Sequence, residues 1–253
     1  MPTTPTTALC HHNEKQLFYR DKDLVADLIG KRSFTDVMMA QITGRTFRPN
    51  ELVLIDAILV TLMEHGLTPS AIATRLTIMS APDAIQGAVA AGLLNVGGQF
   101  LGSMQDCGEL LAEIIAHGDE RATAIAERVR AQKKLVPGFG HHLHKPDDPR
   151  SIALLALAEQ NGVTGANVQA LNVLAAAIRK AAGKHVTINA TGAIAAILAD
   201  LRVPQTAMRG LSIVARAAGL VAHIVEESER PSGRYIWDLV DKSIPFSTDG
   251  QPT

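Results

Sequence analysis

Apolar residues in this chain recur every three or four positions and almost never every second one, a spacing that builds helices and leaves little room for a sheet. Leu211, Val214, Ala218, Val221 and Val225 form one stripe, with Arg216 on another side, and such a stripe predicts an amphipathic helix. From Asn50, a residue suited to cap a helix, Leu52, Ile55, Leu59 and Leu62 recur at helical spacing, flanked by Val53, Val60 and Met63. This predicts a helix apolar over most of its circumference, and therefore buried. The run from Pro82 to Leu94 is rich in alanine and glycine, which favours close helix packing, and proline is tolerated in a first helical turn. A run from Asn167 to Ala182 ends at Gly183, a C-cap signal, with Lys180 in its last turn. Aromatic residues make up only 4% of the chain, and no segment alternates like a strand for more than a few residues. The expected class is all-α.

A chain of 253 residues can bury one large core or two unequal lobes. The expected organisation is an arm over 1–30, ordered by docking, then a large helical domain over 31–103 and 190–253, with a smaller helical domain, 104–189, inserted into it. The stretch 137–150, rich in glycine, proline and aspartate, and the break at 183–189 mark its seams, and ligands favour clefts between domains. With 24 basic against 25 acidic residues, the chain has no global field to hold nucleic acid or an anionic membrane, so neither is an expected partner. Cys10 and Cys107 offer neither a disulfide framework nor metal-ligand spacing. Metal-free chemistry in the cytoplasm is therefore expected. The apolar stretch Leu52 to Met63 is interrupted by Asp56 and falls short of the roughly 20 residues that span a bilayer. The opening Met-Pro-Thr-Thr-Pro-Thr-Thr lacks the basic start and apolar core of a secretory signal.

Chemistry concentrates at Val136-Pro137-Gly138-Phe139-Gly140-His141-His142, followed by Asp148-Pro149-Arg150. Glycines let a turn adopt positive φ and approach a ligand closely, and proline fixes its entry. The turn can present His141 to a cavity, with a guanidinium nine residues on to grip a carboxylate; by mechanics alone it could equally be a plain helix connection. In Met63-Glu64-His65-Gly66, His65 stands where the buried helix opens into a loop. There it can bond a substrate hydroxyl or carbonyl, or simply favour the helix dipole. Further along come Ser70 and Arg75, Gly97-Gly98 to Gly102, Ile188-Asn189-Ala190-Thr191-Gly192, and Ala215-Arg216-Ala217-Ala218-Gly219.

In this order the motifs resemble the citrate synthase superfamily, most closely its lyase branch of stand-alone citryl-CoA lyases and the C-terminal module of ATP-citrate lyase. The resemblance runs from about Ser33 to Asp238. Its most specific part is the Pro-Gly-Phe-Gly-His turn with Asp-Pro-Arg, backed by Arg216-x-x-Gly-x-x-x-His223 and by Arg234 to Trp237-Asp238. It implies an all-α fold of a large and a small domain around a cleft, working as a homodimer or higher homo-oligomer. His65 and His141 would contact the oxaloacetate half of the substrate, with Thr191 at the position of the family's catalytic acid. Arg150 and Arg216 would hold its carboxylates, and Ser70, Arg75 and His142 join them as candidate contacts. The backbone of Val136, Pro137, Gly138, Phe139 and Gly140 would seat coenzyme A, and Arg234 would reach an anionic group. A tricarboxylate needs several fixed cations, and arginine forks match carboxylates bidentately.

The implied activity is cleavage of citryl-CoA, or a related 3-hydroxy-3-carboxyacyl-CoA, to acetyl-CoA and oxaloacetate. The CoA thioester is then a substrate, and no tightly bound cofactor is expected. The alternative is a catalytically impaired relative that binds CoA or a polycarboxylate. Three departures bear on the choice. Leu101 stands in Gly98-Gln99-Phe100-Leu101-Gly102 where citrate synthases carry a histidine, a change ATP-citrate lyase shares. His142 replaces an arginine that often follows the turn histidine. Asn189-Ala190-Thr191-Gly192 has threonine where the family carries its aspartate. Threonine cannot exchange a proton near neutral pH, and losing a positioned acid-base typically costs on the order of 10²–10⁴-fold. Glu64 and Asp106 are the next acids to consider.

Overall fold

A computed structural model describes residues 4–97, 103–132, 134–141 and 144–246. Its elements run β1 (Cys10–His12), β2 (Leu17–Tyr19), β3 (Lys22–Asp23), a π-helical turn (Leu24–Leu28), α1 (Phe34–Thr43), α2 (Pro49–Met63), α3 (Pro69–Ser80), α4 (Ile85–Leu94), α5 (Ser103–His117), α6 (Asp119–Ala131), α7 (Pro149–Gln160), α8 (Ala166–Ala182), α9 (Ala190–Asp200), α10 (Gln205–Glu229) and α11 (Gly233–Ser243). The all-α class holds. Among the described residues the one sheet is a small antiparallel one of order β1-β2-β3, in strands too short for sequence alternation to reveal. The expected arm is therefore a folded hairpin. Its Arg20 donates to the Gln41 carbonyl in the last turn of α1 at 2.7 Å, where a cation complements the helix dipole.

By internal contacts the chain divides into one unit of residues 1–58 and 107–208 and a second of residues 59–106 and 209–253. These seams depart from the sequence-based boundaries: the unit holding 107–189 is the larger one, and it takes in residues 1–58, with α1 and most of α2, as well as 190–208, with α9 packed on α7 and α8. In the first unit α9 is the core helix, its residues from Gly192 to Leu198 all buried. Asp200 at its end caps α8, accepting from the backbone N–H groups of Gly165, Asn167 and Val168 at 2.8, 2.9 and 3.1 Å. Helix α8 ends as read, at Gly183 with φ +66°.

In the second unit α3 packs on α4 and α11 on α3. Three sequence-based details need correction. Asn50 does not cap α2. The helix opens at Pro49, Glu51 reaches back to accept the Arg48 N–H at 2.8 Å, half of a capping box, and Asn50 donates to the Asn161 carbonyl. Helix α4 begins at Ile85, because Pro82 sits in a turn closed by Ala84 N–H to the Ala81 carbonyl at 3.0 Å. Helix α2 is buried on one face only. Leu54, Ile55, Ile58 and Leu59 are inside, while Val53, Val60 and Met63 are exposed.

The α10 stripe, apart from the buried Leu211, points outward. Val214, Val221 and Val225 are exposed, whereas the buried face is Leu211, Ser212, Ala215, Leu220, His223, Ile224 and Glu227. The buried face carries polar residues with partners inside the fold. By length and composition α10 could cross a bilayer, yet a buried histidine and glutamate are the pattern of a core helix that satisfies its charges internally. Gly219 sets this helix against the end of α2, since a Cβ there would overlap the Met63 carbonyl. Gly219→Ala should therefore lower stability by about 1–3 kcal/mol, as overpacking does. Gly210→Ala, on the same helix with nothing within 4 Å of its added Cβ, should raise it by about 0.5–1 kcal/mol. Chemical denaturation of the two variants, with opposite signs expected, checks both.

Candidate active site

Two clusters carry the candidate chemistry, one in each unit. The first is built on the turn before α7. Gly138 and Gly140 adopt φ of +85° and +80°, conformations that favour glycine. A Cβ on Gly138 would lie 2.6 Å from Cys107 Sγ and 2.9 Å from Gly192 Cα, so the turn lies in van der Waals contact with the start of α9. Backbone bonds pin it there: Gly140 N–H to the Thr187 carbonyl at 2.7 Å and Asn189 N–H to the Gly138 carbonyl at 3.1 Å. Asn189 caps α9 by accepting from Gly192 N–H, and its amide donates to the Gly140 carbonyl at 3.0 Å. Thr191 is thereby the second residue of α9, half-buried beside the turn. Of the expected CoA-seating segment, Val136, Gly138 and Phe139 are buried and Pro137 and Gly140 half-buried.

Asp148 organises this cluster. Fully buried, it caps α7, which opens with Pro149, and it accepts from Arg150 N–H and Nε–H at 3.0 Å each, Arg150 Nη2–H at 2.8 Å and Ala190 N–H at 3.0 Å. Burial acts to raise its pKa, but the Arg150 bonds and the Ala190 N–H outweigh it and hold the carboxyl below the usual carboxylate range. Arg150 is thus anchored along one edge, and its Nη2 also lies 3.1 Å from His141 Nε2. His141 Nδ1 accepts from His144 N–H at 3.0 Å. A neutral imidazole has one lone-pair nitrogen. The His144 N–H and the Arg150 guanidinium both aim a donor at His141, which while neutral can accept from only one of them. Arg150 Nη2 and His141 Nε2 thus stand side by side, a fixed cation beside an imidazole nitrogen.

The second cluster surrounds the end of α2. Glu64 Oε1 accepts from His65 N–H at 2.8 Å and Gly66 N–H at 2.6 Å, and its carboxylate lies 3.1 Å from His223 Nε2 and 3.9 Å from Arg216 Nη1. Burial works against ionisation, but the two backbone donors and His223 keep the Glu64 carboxyl below its ordinary range. His65 is exposed. Arg216 projects from α10, and its Nη1 is buried without a hydrogen-bond acceptor among the described residues. Burial pushes the guanidinium below its ordinary pKa, with the Glu64 charge opposing. An acceptor brought to this arginine would relieve a cost of the order of 1–3 kcal/mol for an unmatched donor.

Arg75, expected to touch substrate, is instead committed inside the protein. It donates to Glu227 at 2.8 Å, to His223 Nδ1 at 3.0 Å and to Glu226, and its side chain is 4% exposed. Ser70 is buried, its hydroxyl 3.2 Å from that of Thr68. Arg234 is exposed, paired with Asp238 at 2.9 Å and placed 4.6 Å over Trp237. Asp106 is exposed in the first turn of α5. His142 and the stretch Gly98 to Gly102, with Leu101, lie outside the described residues. Asp148, His223, Glu226 and Glu227 were given no role from sequence. Only Asp148 carried a signal, as the cap before a helix-opening proline.

The family model described as citrate synthase, C-terminal domain, matches residues 2–236. A Mycobacterium tuberculosis protein named "Putative citrate synthase 2" is 30% identical over 216 residues, 80% of this chain and 55% of that protein. This chain thus spans about half the length of that relative. Among solved structures, citryl-CoA lyase from Hydrogenobacter thermophilus matches 99% of this chain and 97% of its own at 27% identity, with a TM-score of 0.87. ATP citrate lyase from Methanothrix soehngenii, solved with citrate and coenzyme A, shares the fold over the whole of this chain and 44% of its own, at 20% identity and a TM-score of 0.79.

Because Asp148 is buried and Arg150 is its cation, Arg150→Ala should cost roughly 3 kcal/mol in stability at neutral pH, the low end for breaking a buried pair. In the parent the depressed Asp148 pKa contributes stability that is present above the ordinary value of 3.8 and lost as pH falls through the folded value. In the variant the uncompensated carboxyl is relieved by protonation, so the stability gap should narrow below that pH. Urea denaturation at neutral and acid pH measures it; a gap constant with pH would contradict the pairing.

Proposed function

The chain belongs to the citrate synthase family, and from that premise we propose that it is a carbon–carbon lyase of the citryl-CoA lyase type. In this reading it cleaves citryl-CoA, or a related 3-hydroxy-3-carboxyacyl-CoA, to a 2-oxoacid such as oxaloacetate and acetyl-CoA. The observation that carries the reading is the pair of His141 Nε2 and Arg150 Nη2, 3.1 Å apart, with the arginine locked on Asp148. Bidentate or paired donors of this kind fit a carboxylate. In the second unit, the unmatched Nη1 of Arg216 is by itself a candidate cation for a carboxylate. The likeness in fold and length to a citryl-CoA lyase supports the same choice.

In the tautomer whose Nδ1 accepts from the His144 N–H, His141 offers its Nε2–H to a substrate oxygen. His65 is left to take the proton of the tertiary hydroxyl. As that O–H bond breaks, the carbon–carbon bond between the carbinol carbon and the acetyl methylene breaks with it. The oxygen becomes the 2-oxo group, and the electron pair passes into the thioester as an enolate stabilised by hydrogen bonds. Return of that proton from His65, relayed through water, to the methylene carbon completes acetyl-CoA and restores neutral His65, so atoms and charge balance. The backbone from Val136 to Gly140 is assigned to coenzyme A. A homo-oligomer is proposed as the working form, with Val214, Val221 and Val225 of α10 supplying an exposed apolar face.

Thr191 favours a second reading. It stands near the turn where the reaction needs a proton donor, and its hydroxyl is no acid at neutral pH. A protein so altered could bind CoA or a polycarboxylate without turnover. Incubation with citryl-CoA, following 2-oxoacid and acetyl-CoA, separates the two. Cleavage is expected from the parent, and Arg216→Ala should reduce kcat/KM by 10²-fold or more, on the order expected for a lost charged contact. Thr191→Asp should raise exchange of the acetyl-CoA methyl protons over the parent. Tight citrate or CoA binding with no cleavage would favour the binding protein.

A further inference from the structure

The second unit holds a chain of hydrogen bonds whose direction is fixed at each link. A guanidinium has no acceptor, so Arg75 Nε–H donates to His223 Nδ1 at 3.0 Å. A neutral His223 then carries its proton on Nε2, which lies 3.2 Å from Glu64 Oε1 and 3.1 Å from Oε2. Protonation of Nδ1 would set a donor against a donor, so Arg75 imposes one tautomer. Glu64 Oε1 in turn receives the backbone N–H groups of His65 and Gly66. At the other end Arg75 is anchored by Glu227, whose side chain is 6% exposed, and Ser232 bonds the same carboxylate at 2.8 Å. The chain thus runs from a buried ion pair to an exposed loop.

We infer that His223 is a positioning residue for His65: held in one tautomer by Arg75, it orients the Glu64 carboxylate, which clamps the His65 and Gly66 backbone and so fixes where the His65 ring is presented. The inference rests on the proposed role of His65 at the substrate. The loop from Glu64 to Leu67 is exposed throughout, with Gly66 at φ +72°, so the local sequence offers little packing to hold it. A displacement of about 1 Å in a reacting group can cost on the order of 10²-fold in rate, which gives a carboxylate clamp a functional use. Arg75 then acts at one remove from chemistry rather than as a substrate contact.

The test compares His223→Gln, His223→Leu, Glu64→Ala and the His223→Leu/Glu64→Ala double variant in the full chain. Glutamine can turn its carbonyl to Arg75 and its amide to Glu64; leucine can do neither. Amide hydrogen exchange at His65 and Gly66 should speed up in His223→Leu and Glu64→Ala relative to amides in α3, and stay near the parent in His223→Gln. With citryl-CoA, kcat should fall on the order of 10- to 100-fold in His223→Leu, with KM moving less, and His223→Gln should recover most of it. The double variant should be no worse than the poorer single one, because both remove the same clamp. Unchanged exchange at His65 and Gly66 in His223→Leu, or additive losses in the double variant, would overturn the inference. Should His223→Leu fail to fold, Glu64→Ala, altering a half-exposed side chain, carries the exchange arm, and unchanged exchange there overturns the inference equally. If the parent cleaves no citryl-CoA, the functional reading fails, while amide exchange still decides whether His223 holds the loop.

Discussion

A single buried carboxylate, Asp148, ties the first unit's chemistry to its fold. Its four N–H donors come from three places: the backbone and side chain of Arg150 at the start of α7, and the first residue of α9. A charge removed from water is tolerable only when its lone pairs are filled and a cation lies beside it. Both conditions hold, and the outcome is geometric. Arg150 cannot swing, because one edge of its fork is spent on Asp148, and what remains is presented next to His141. Ser151 adds a second tie between the two helices by donating to the Ile188 carbonyl at 2.7 Å. The proposed anion seat is therefore made of groups already fixed by the core, which would let binding proceed without ordering long side chains.

The second unit solves a similar problem with the opposite sign at its centre. Arg75 is the buried cation there, and Glu226, Glu227 and His223 surround it. Arg216, four residues after Ser212 and seven before His223 on α10, is left with an unmatched Nη1. One arginine is satisfied by the protein and the other is incompletely so. That difference separates a structural cation from a candidate ligand-binding one more sharply than residue type does.

Helix class and the motif residues were largely legible in the chain, because periodicity and glycine-rich turns are local properties. The α8 end at Gly183 and the turn glycines at 138 and 140 followed from single-residue backbone preferences. What sequence could not give was pairing at a distance. Arg75 and Glu227 are 152 positions apart, and nothing local to either distinguishes a buried partner from a substrate carboxylate. The buried face of α10 was hidden for a related reason: the apolar stripe is what spacing reveals, while His223 and Glu227 lie inside because their charges and donors are matched there. Asn50 lost its capping role to Glu51 at Arg48, a competition between neighbouring polar residues that spacing alone does not resolve.

The central claim is that His141 and Arg150 form a pre-set seat for a substrate carboxylate. A crystal structure with oxaloacetate bound tests it most directly. The account predicts a carboxylate oxygen within hydrogen-bond distance of both His141 Nε2 and Arg150 Nη2, with the Arg150–Asp148 bonds retained. Oxaloacetate bound away from these two groups, or Arg150 released from Asp148 to reach it, would contradict the account.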